Sequence, residues 1–202
     1  MILTPIPRDR LDVTLDRFAA QLHDPAARAA FGRIRTTAAE RAAGAAAESH
    51  RQAALALARC RGVAIRPAGT HCAFNWDGIA LAGDTEAYVI LHEVAHFVLA
   101  PPERRRLVDF GLGPGPDTAA RTIAERAAIL PIPERDADEA AASLLGILWE
   151  AALGQPALAS FLDQNWLEGL ERSAASHFTA VLRRLRRLGV AELDCPVEMT
   201  RW

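Results

Sequence analysis

His92-Glu93-Val94-Ala95-His96 is the segment of this chain best equipped for chemistry. Two histidines four residues apart share one face of a helix, about 6 Å from each other, so both imidazoles can reach one cation. The glutamate between them can reach water or substrate held at that cation. The flanks Val89, Ile90, Leu91, Val94, Phe97, Val98 and Leu99 are apolar nearly all round and predict a buried helix. Two imidazoles and a carboxylate are costly to bury there without a partner. A metal ion is such a partner, which makes His92 and His96 predicted ligands and Glu93 the predicted catalytic residue.

A metal needs further protein ligands. Glu134-Arg-Asp-Ala-Asp138 opens a second helical run, and the stripe from Glu134 continues through Asp138, Ala141, Leu145, Leu148 and Ala152. That stripe is the one expected to turn inward. It nominates Glu134 as third ligand, with Asp138 accepting a hydrogen bond from the free ring N–H of a ligand histidine. The rival is Glu139, whose own face carries Ala142, Ser143, Gly146 and Glu150 and reads as solvent-facing. Two histidines and one carboxylate leave open coordination positions, which suits catalytic zinc or non-haem iron. With zinc, Glu93 would be the general base of a hydrolase. With iron, the open positions would bind dioxygen.

The elements that must position these residues are mostly helical. Residues 8–60 read as helix in two segments that break at Asp24-Pro25, an N-cap followed by proline at the first helical position. Val63-Ala64-Ile65-Arg66 reads as a short strand. Asp77-Gly78, between Phe74/Trp76 and Ile79/Leu81, is a hairpin signal, because such a turn needs positive φ. A small antiparallel sheet is therefore expected at residues 62–83. Asp84-Thr85 offers an N-cap for a helix over 85–100, stopped by Pro101-Pro102. The glycine- and proline-rich segment 111–117 is a loop and a candidate lid. Asp117 caps a helix over 118–129, and a long helix runs from Glu134 to about Leu153. One or two more follow, to about Leu188. The fold class is α+β, mostly helical, with a small antiparallel sheet ahead of a central H-E-x-x-H helix, a zincin-like arrangement. The division expected is an N-terminal helical segment, 1–61, and a metal-binding catalytic domain, 62–202, or one continuous domain.

The stretch Leu91–Ala100 with Arg104-Arg105-Arg106-Leu107-Val108-Asp109-Phe110-Gly111 resembles the elongation factor P hydroxylase family. Members carry a similar H-E-x-x-H-aromatic helix followed at the same distance by Arg-Arg-x-Leu-Val-Asp-Phe-Gly. The approach Asn75–Ala82 and the turn Gly154-Gln155-Pro156 also look similar, and the likeness covers about residues 70–170. It implies a non-haem, metal-dependent hydroxylase acting on a modified lysine of a translation factor, with His92, His96 and one downstream glutamate as ligands. Aligned on the Gly154 turn, that glutamate is Glu139. Aligned on a glutamate with a polar residue four positions later, it is Glu134, the choice the helix-face argument supports. Residues 8–60 have no counterpart in the family, and Leu112-Gly-Pro-Gly-Pro replaces its aromatic, cysteine-containing segment. A second likeness competes: Glu134-x-x-Ala137-Asp138-x-x-Ala141 with Leu144-Leu145 is similar to the third-ligand helix of minimal zinc metallopeptidases.

Composition bounds the alternatives. The 202 residues are 50% hydrophobic and carry a net charge of −2, so the chain can bury a core and lacks the basic excess of a generic nucleic-acid binder. Cys60, Cys72 and Cys195 form no C-x-x-C pair or disulfide framework and read as reduced thiols of a cytoplasmic protein. No signal-peptide core or membrane span is expected. Arg104–Arg106 and Arg183–Arg187 read as solvated faces, with Asp109 available to pair with the first cluster. His71-Cys72 could approach the site from the sheet edge. Trp76 and Phe74 read as core. The expected cofactor is one divalent ion, with iron favoured and zinc the alternative. The expected partner is a protein or peptide substrate, a translation factor by resemblance. Three readings follow: hydroxylase, zinc metallopeptidase, and a non-catalytic metal-binding protein.

Overall fold

The computed structural model describes residues 6–67, 69–70, 72–115, 118–168 and 173–193. His71, Asp117 and Cys195, which entered the sequence reading, lie outside them. Among the described residues there are eight α-helices: α1 (Arg8–Gln21), α2 (Pro25–Arg35), α3 (Gly44–Cys60), α4 (Ala87–Leu99), α5 (Arg121–Ala127), α6 (Ile132–Ala152), α7 (Ala157–Asp163) and α8 (Ala174–Arg187). Two short 3-10 turns, Arg104–Arg106 and Val108–Gly111, follow α4. The N-terminal stretch thus forms three helices. The break at Asp24-Pro25 falls where the sequence places it, with Asp24 Oδ1 accepting from the N–H groups of Ala26 (2.9 Å) and Ala27 (3.1 Å). The second break precedes Gly44, at φ 58°, inside an alanine-rich run whose propensity alone favours unbroken helix.

The sheet corrects the antiparallel expectation. β1 (Ile65–Arg66) and β2 (Leu81–Ala82) are two residues each and parallel, with Ile65 opposite Leu81. The Asp77-Gly78 turn does form: Asp77 Oδ1 accepts from the N–H groups of Ile79 and Ala80, and Gly78 sits at φ 90°. Its antiparallel pairing is one bridge, Trp76 to Leu81, closed by Asp77 N–H to Ala80 O and Ala82 N–H to Asn75 O, while the Leu81 N–H on the other side bonds Ala64 O. Gly78 is obligatory, since a Cβ there would lie 2.6 Å from the Arg106 carbonyl oxygen.

One hydrophobic core runs from Leu15 to Ala191. Phe18, Phe31, Phe161 and Phe178 meet in it with ring centroids 4.7–6.5 Å apart and join α1, α2, α7 and α8. α4 packs between α6 and α3. From Ala141 to Glu150, every residue of α6 is buried. The close approach of α4 and α6 depends on Gly146, where a Cβ would lie 3.3 Å from His92 N and 3.4 Å from His92 Cα. No described helix is long and apolar enough to cross a membrane.

Candidate metal centre

α4 presents His92 and His96 toward α6, with their Nε2 atoms 3.1 Å apart. Glu139 Oε2, two helical turns into α6, lies 3.4 Å from each of them. Among the described residues this is the group of His, Cys, Asp or Glu side chains placed to hold a metal ion. A tetrahedral ion with bonds of about 2.0–2.1 Å spaces its ligands by about 3.3–3.4 Å, and an octahedral one by about 3.0 Å. Triangle edges of 3.1, 3.4 and 3.4 Å fit one small divalent cation in either geometry.

Glu134 is not in this group; the carboxylate that the structure brings to the two imidazoles is Glu139. α6 starts at Ile132, so Glu134 stands on its first turn, exposed. The face argument failed because α6 is buried on every side past Asp138 and offers no polar face to contrast with an apolar one. The small residues after Glu139 mark helix contact: Gly146 lies against the backbone of His92, Ser143 Oγ accepts from the Trp166 indole N–H (2.8 Å), and Glu150 is 2% exposed. The register on the Gly154 turn singles out the residue that the fold brings to the histidines.

Asp138 lies behind His96, but without the hydrogen bond expected of it. Its Oδ2 is 3.7 Å from His96 Nδ1, just beyond hydrogen-bonding reach, and that nitrogen is buried without a hydrogen-bond partner. Asp138 is engaged by Arg104, whose Nη2 donates to Oδ2 at 2.7 Å, and Arg184 Nη2 stands 3.7 Å from Oδ1. Arg104, 8% exposed, corrects the reading of its cluster as a solvated face, whereas Arg183, Arg186 and Arg187 are exposed as expected, Arg183 pairing with Asp24 at the surface. Asp109 accepts from Thr118 Oγ1 (3.2 Å), while the neighbouring guanidinium of Arg104 goes to Asp138 and the Phe110 carbonyl.

Electrostatics at the site favour a cation. Burial works against a charged His96, yet the Glu139 carboxylate and Asp138 outweigh it and push the imidazole up to about 10. Burial would raise Glu139, but the two imidazoles hold its carboxyl far below the usual range. Glu93 is half-buried beside them. Burial raises its carboxyl, and Asn75 Nδ2 donates to Oε1 at 3.4 Å. Asp109 is pushed up to about 6 by burial and by the Glu93 charge.

These side chains open into a cleft of about 1210 Å³. Asp109, Phe110, Leu112, Gly113 and Gly115 form one wall, so the 111–115 part of the glycine- and proline-rich loop does border the site. Tyr88, one turn before His92, lines it too, and Arg41 lies 3.6 Å over the Tyr88 ring. Trp166 and His177, stacked at 5.3 Å, line it further along α6 from Glu139. The aromatic residues and Asn165 at that end carry no spacing signal in the sequence, because the turn after α7 and helix α8 bring them there. Cys72 and Phe74 also border the cleft, whereas Trp76 is 3% exposed and stacks on Phe110 at 5.2 Å. Cys72 is a free thiol.

Comparison with protein-family models, with curated proteins and with solved structures finds no match for this chain.

Proposed function

We propose that this protein is a single-metal hydroxylase, similar to the elongation factor P hydroxylases and acting on a side chain of a protein or peptide. The observation that carries this reading is the place of the segment shared with that family. Arg104–Gly111 forms the cleft wall beside His96, through Asp109 and Phe110, and meets Asp138 on the helix that carries Glu139. Glu139 is also the residue that the family register on Gly154 nominates.

On this reading His92, His96 and Glu139 hold one divalent ion, with iron favoured. Bound there, iron would supply the electron transfer to dioxygen, and insertion of one oxygen atom into a C–H bond also consumes two electrons from an external reductant. The chain's own groups orient and exclude. Phe110 and Leu112, buried at 1% and 3% exposure, keep water from one side of the site. Glu93, already raised by its burial, can hold or release a proton beside the reacting centre. The cleft is large enough for a side chain together with its flanking backbone.

Glu93 itself favours a second reading, a zinc metallopeptidase. An oxygen-activating site of two histidines and one carboxylate has no need of a non-ligand glutamate beside it, whereas hydrolysis needs such a base to take a proton from water. The third reading, a metal site kept for stability, predicts no turnover.

Anaerobic purification with metal analysis, followed by oxygen-consumption and peptide-hydrolysis assays, separates these readings. Iron with substrate-dependent oxygen uptake supports the first. Zinc with casein or peptide cleavage and no oxygen uptake replaces it with the second. For the third, Glu93→Gln leaves every cellular phenotype unchanged while His92→Ala unfolds the protein.

A further inference from the structure

We propose that Arg104 is a positioning residue of the metal centre: one buried guanidinium fixes the imidazole of His96 from behind, through Asp138, and from its flank, through the Phe110 backbone. The inference rests on the assignment of His92, His96 and Glu139 as ligands, and it holds for hydroxylase and hydrolase alike. Arg104 lies in a 3-10 turn after α4, and its fork reaches two elements at once. Nε donates to the Phe110 carbonyl at 2.9 Å and Nη2 donates to Asp138 Oδ2 at 2.7 Å. Each contact leads to His96. Asp138 Oδ2 faces the Nδ1 edge of the ring at 3.7 Å, and the Phe110 ring stacks on the imidazole at 5.5 Å and 25°.

The turn that presents Phe110 is not one the chain adopts freely. Asp109 (φ 45°, ψ 35°) and Phe110 (φ 53°, ψ 23°) are consecutive left-handed residues with side chains, a conformation that persists only where surrounding contacts impose it. Here the contacts are Arg104 on the Phe110 carbonyl and the Trp76 carbonyl, which accepts from Asp109 N–H at 3.1 Å. Lysine could supply the charge to Asp138, but not two donors in a fixed plane.

The test uses the full-length protein, stripped of metal. Zinc affinity is read by competition with a chromophoric chelator, coordination geometry by the visible spectrum with cobalt(II), and apo stability by thermal melting. Arg104→Gln is expected to weaken zinc binding about 10–100-fold and to shift the cobalt bands, with Arg104→Lys intermediate. The losses of Arg104→Gln and Asp138→Asn are expected to be non-additive in the double variant, because both act through one contact. A purely structural arginine would lower the melting temperature and leave affinity and spectrum unchanged. Wild-type affinity and spectrum in Arg104→Gln overturn the proposal. If Arg104→Gln does not fold, the same wild-type result in Arg104→Lys overturns it. A wild-type protein that binds neither zinc nor cobalt overturns the metal centre and the proposal with it, whereas normal wild-type binding with unaffected variants removes only the role of Arg104.

Discussion

Glu134 and Glu139 are chemically the same residue, five positions apart on one helix, and only the second faces two imidazoles. Glu139→Gln is therefore expected to lower bound metal to below about one tenth of the wild-type content, as is His96→Ala, while Glu134→Gln stays at the wild-type value; metal analysis after dialysis checks all three. Glu93→Gln should keep its metal and lose turnover by about 10²–10⁴-fold, as a proton-transfer group does, in whichever assay detects activity. The two histidines and Glu93 were legible because four-residue spacing on a helix dictates a shared face. The carboxylate brought to them, Glu139, was not, because an inward face built from Ala142, Ser143 and Gly146 looks like an outward one when hydrophobicity is the only criterion. Smallness, which allows close helix contact, was the signal present and unused.

At the scale of elements, the contact of α4 with α6 sets the spacing of the site. Gly146→Leu would drive a side chain into the backbone of His92 and is expected to cost about 1–3 kcal/mol or more in urea unfolding, together with weakened metal binding. The helices themselves were readable from periodicity and punctuation: α4 and α6 begin and end within two residues of their expected positions, although the expected cap of α4 at Asp84-Thr85 does not form and the helix starts after Glu86 with no side-chain cap. The sheet was not. The Asp77-Gly78 turn carried its own chemistry, but the register of Leu81 follows from its bond to Ala64, a pairing no local pattern announces. The arginines after α4 posed a similar difficulty, since charge alone does not separate a solvated guanidinium from one sealed against Asp138.

At the scale of the whole molecule, Glu150 of α6 is 2% exposed, and burial pushes its carboxyl up to about 7 in spite of Ser160 and Arg41. A carboxyl raised from its ordinary value of 4.5 binds more protons folded than unfolded between those two values, so its contribution to stability is full below pH 4.5 and is lost as pH rises through 7. Glu150→Gln should then leave stability near wild-type at pH 5 and raise it by about 1–3 kcal/mol at pH 8, measured by denaturant unfolding at both values. The same neighbourhood joins the two ends of the chain. Arg41, in the loop between α2 and α3, donates to Ser160 Oγ at 2.7 Å and Asp163 Oδ2 at 2.9 Å, and its guanidinium covers Tyr88. The loop that joins two amino-terminal helices thus supplies part of the scaffold beside the cleft. Through Arg41 the loop at residues 36–43 shields one face of the chain's single tyrosine, one helical turn upstream of His92, so a contact that drew Arg41 away would bare that face at the cleft wall.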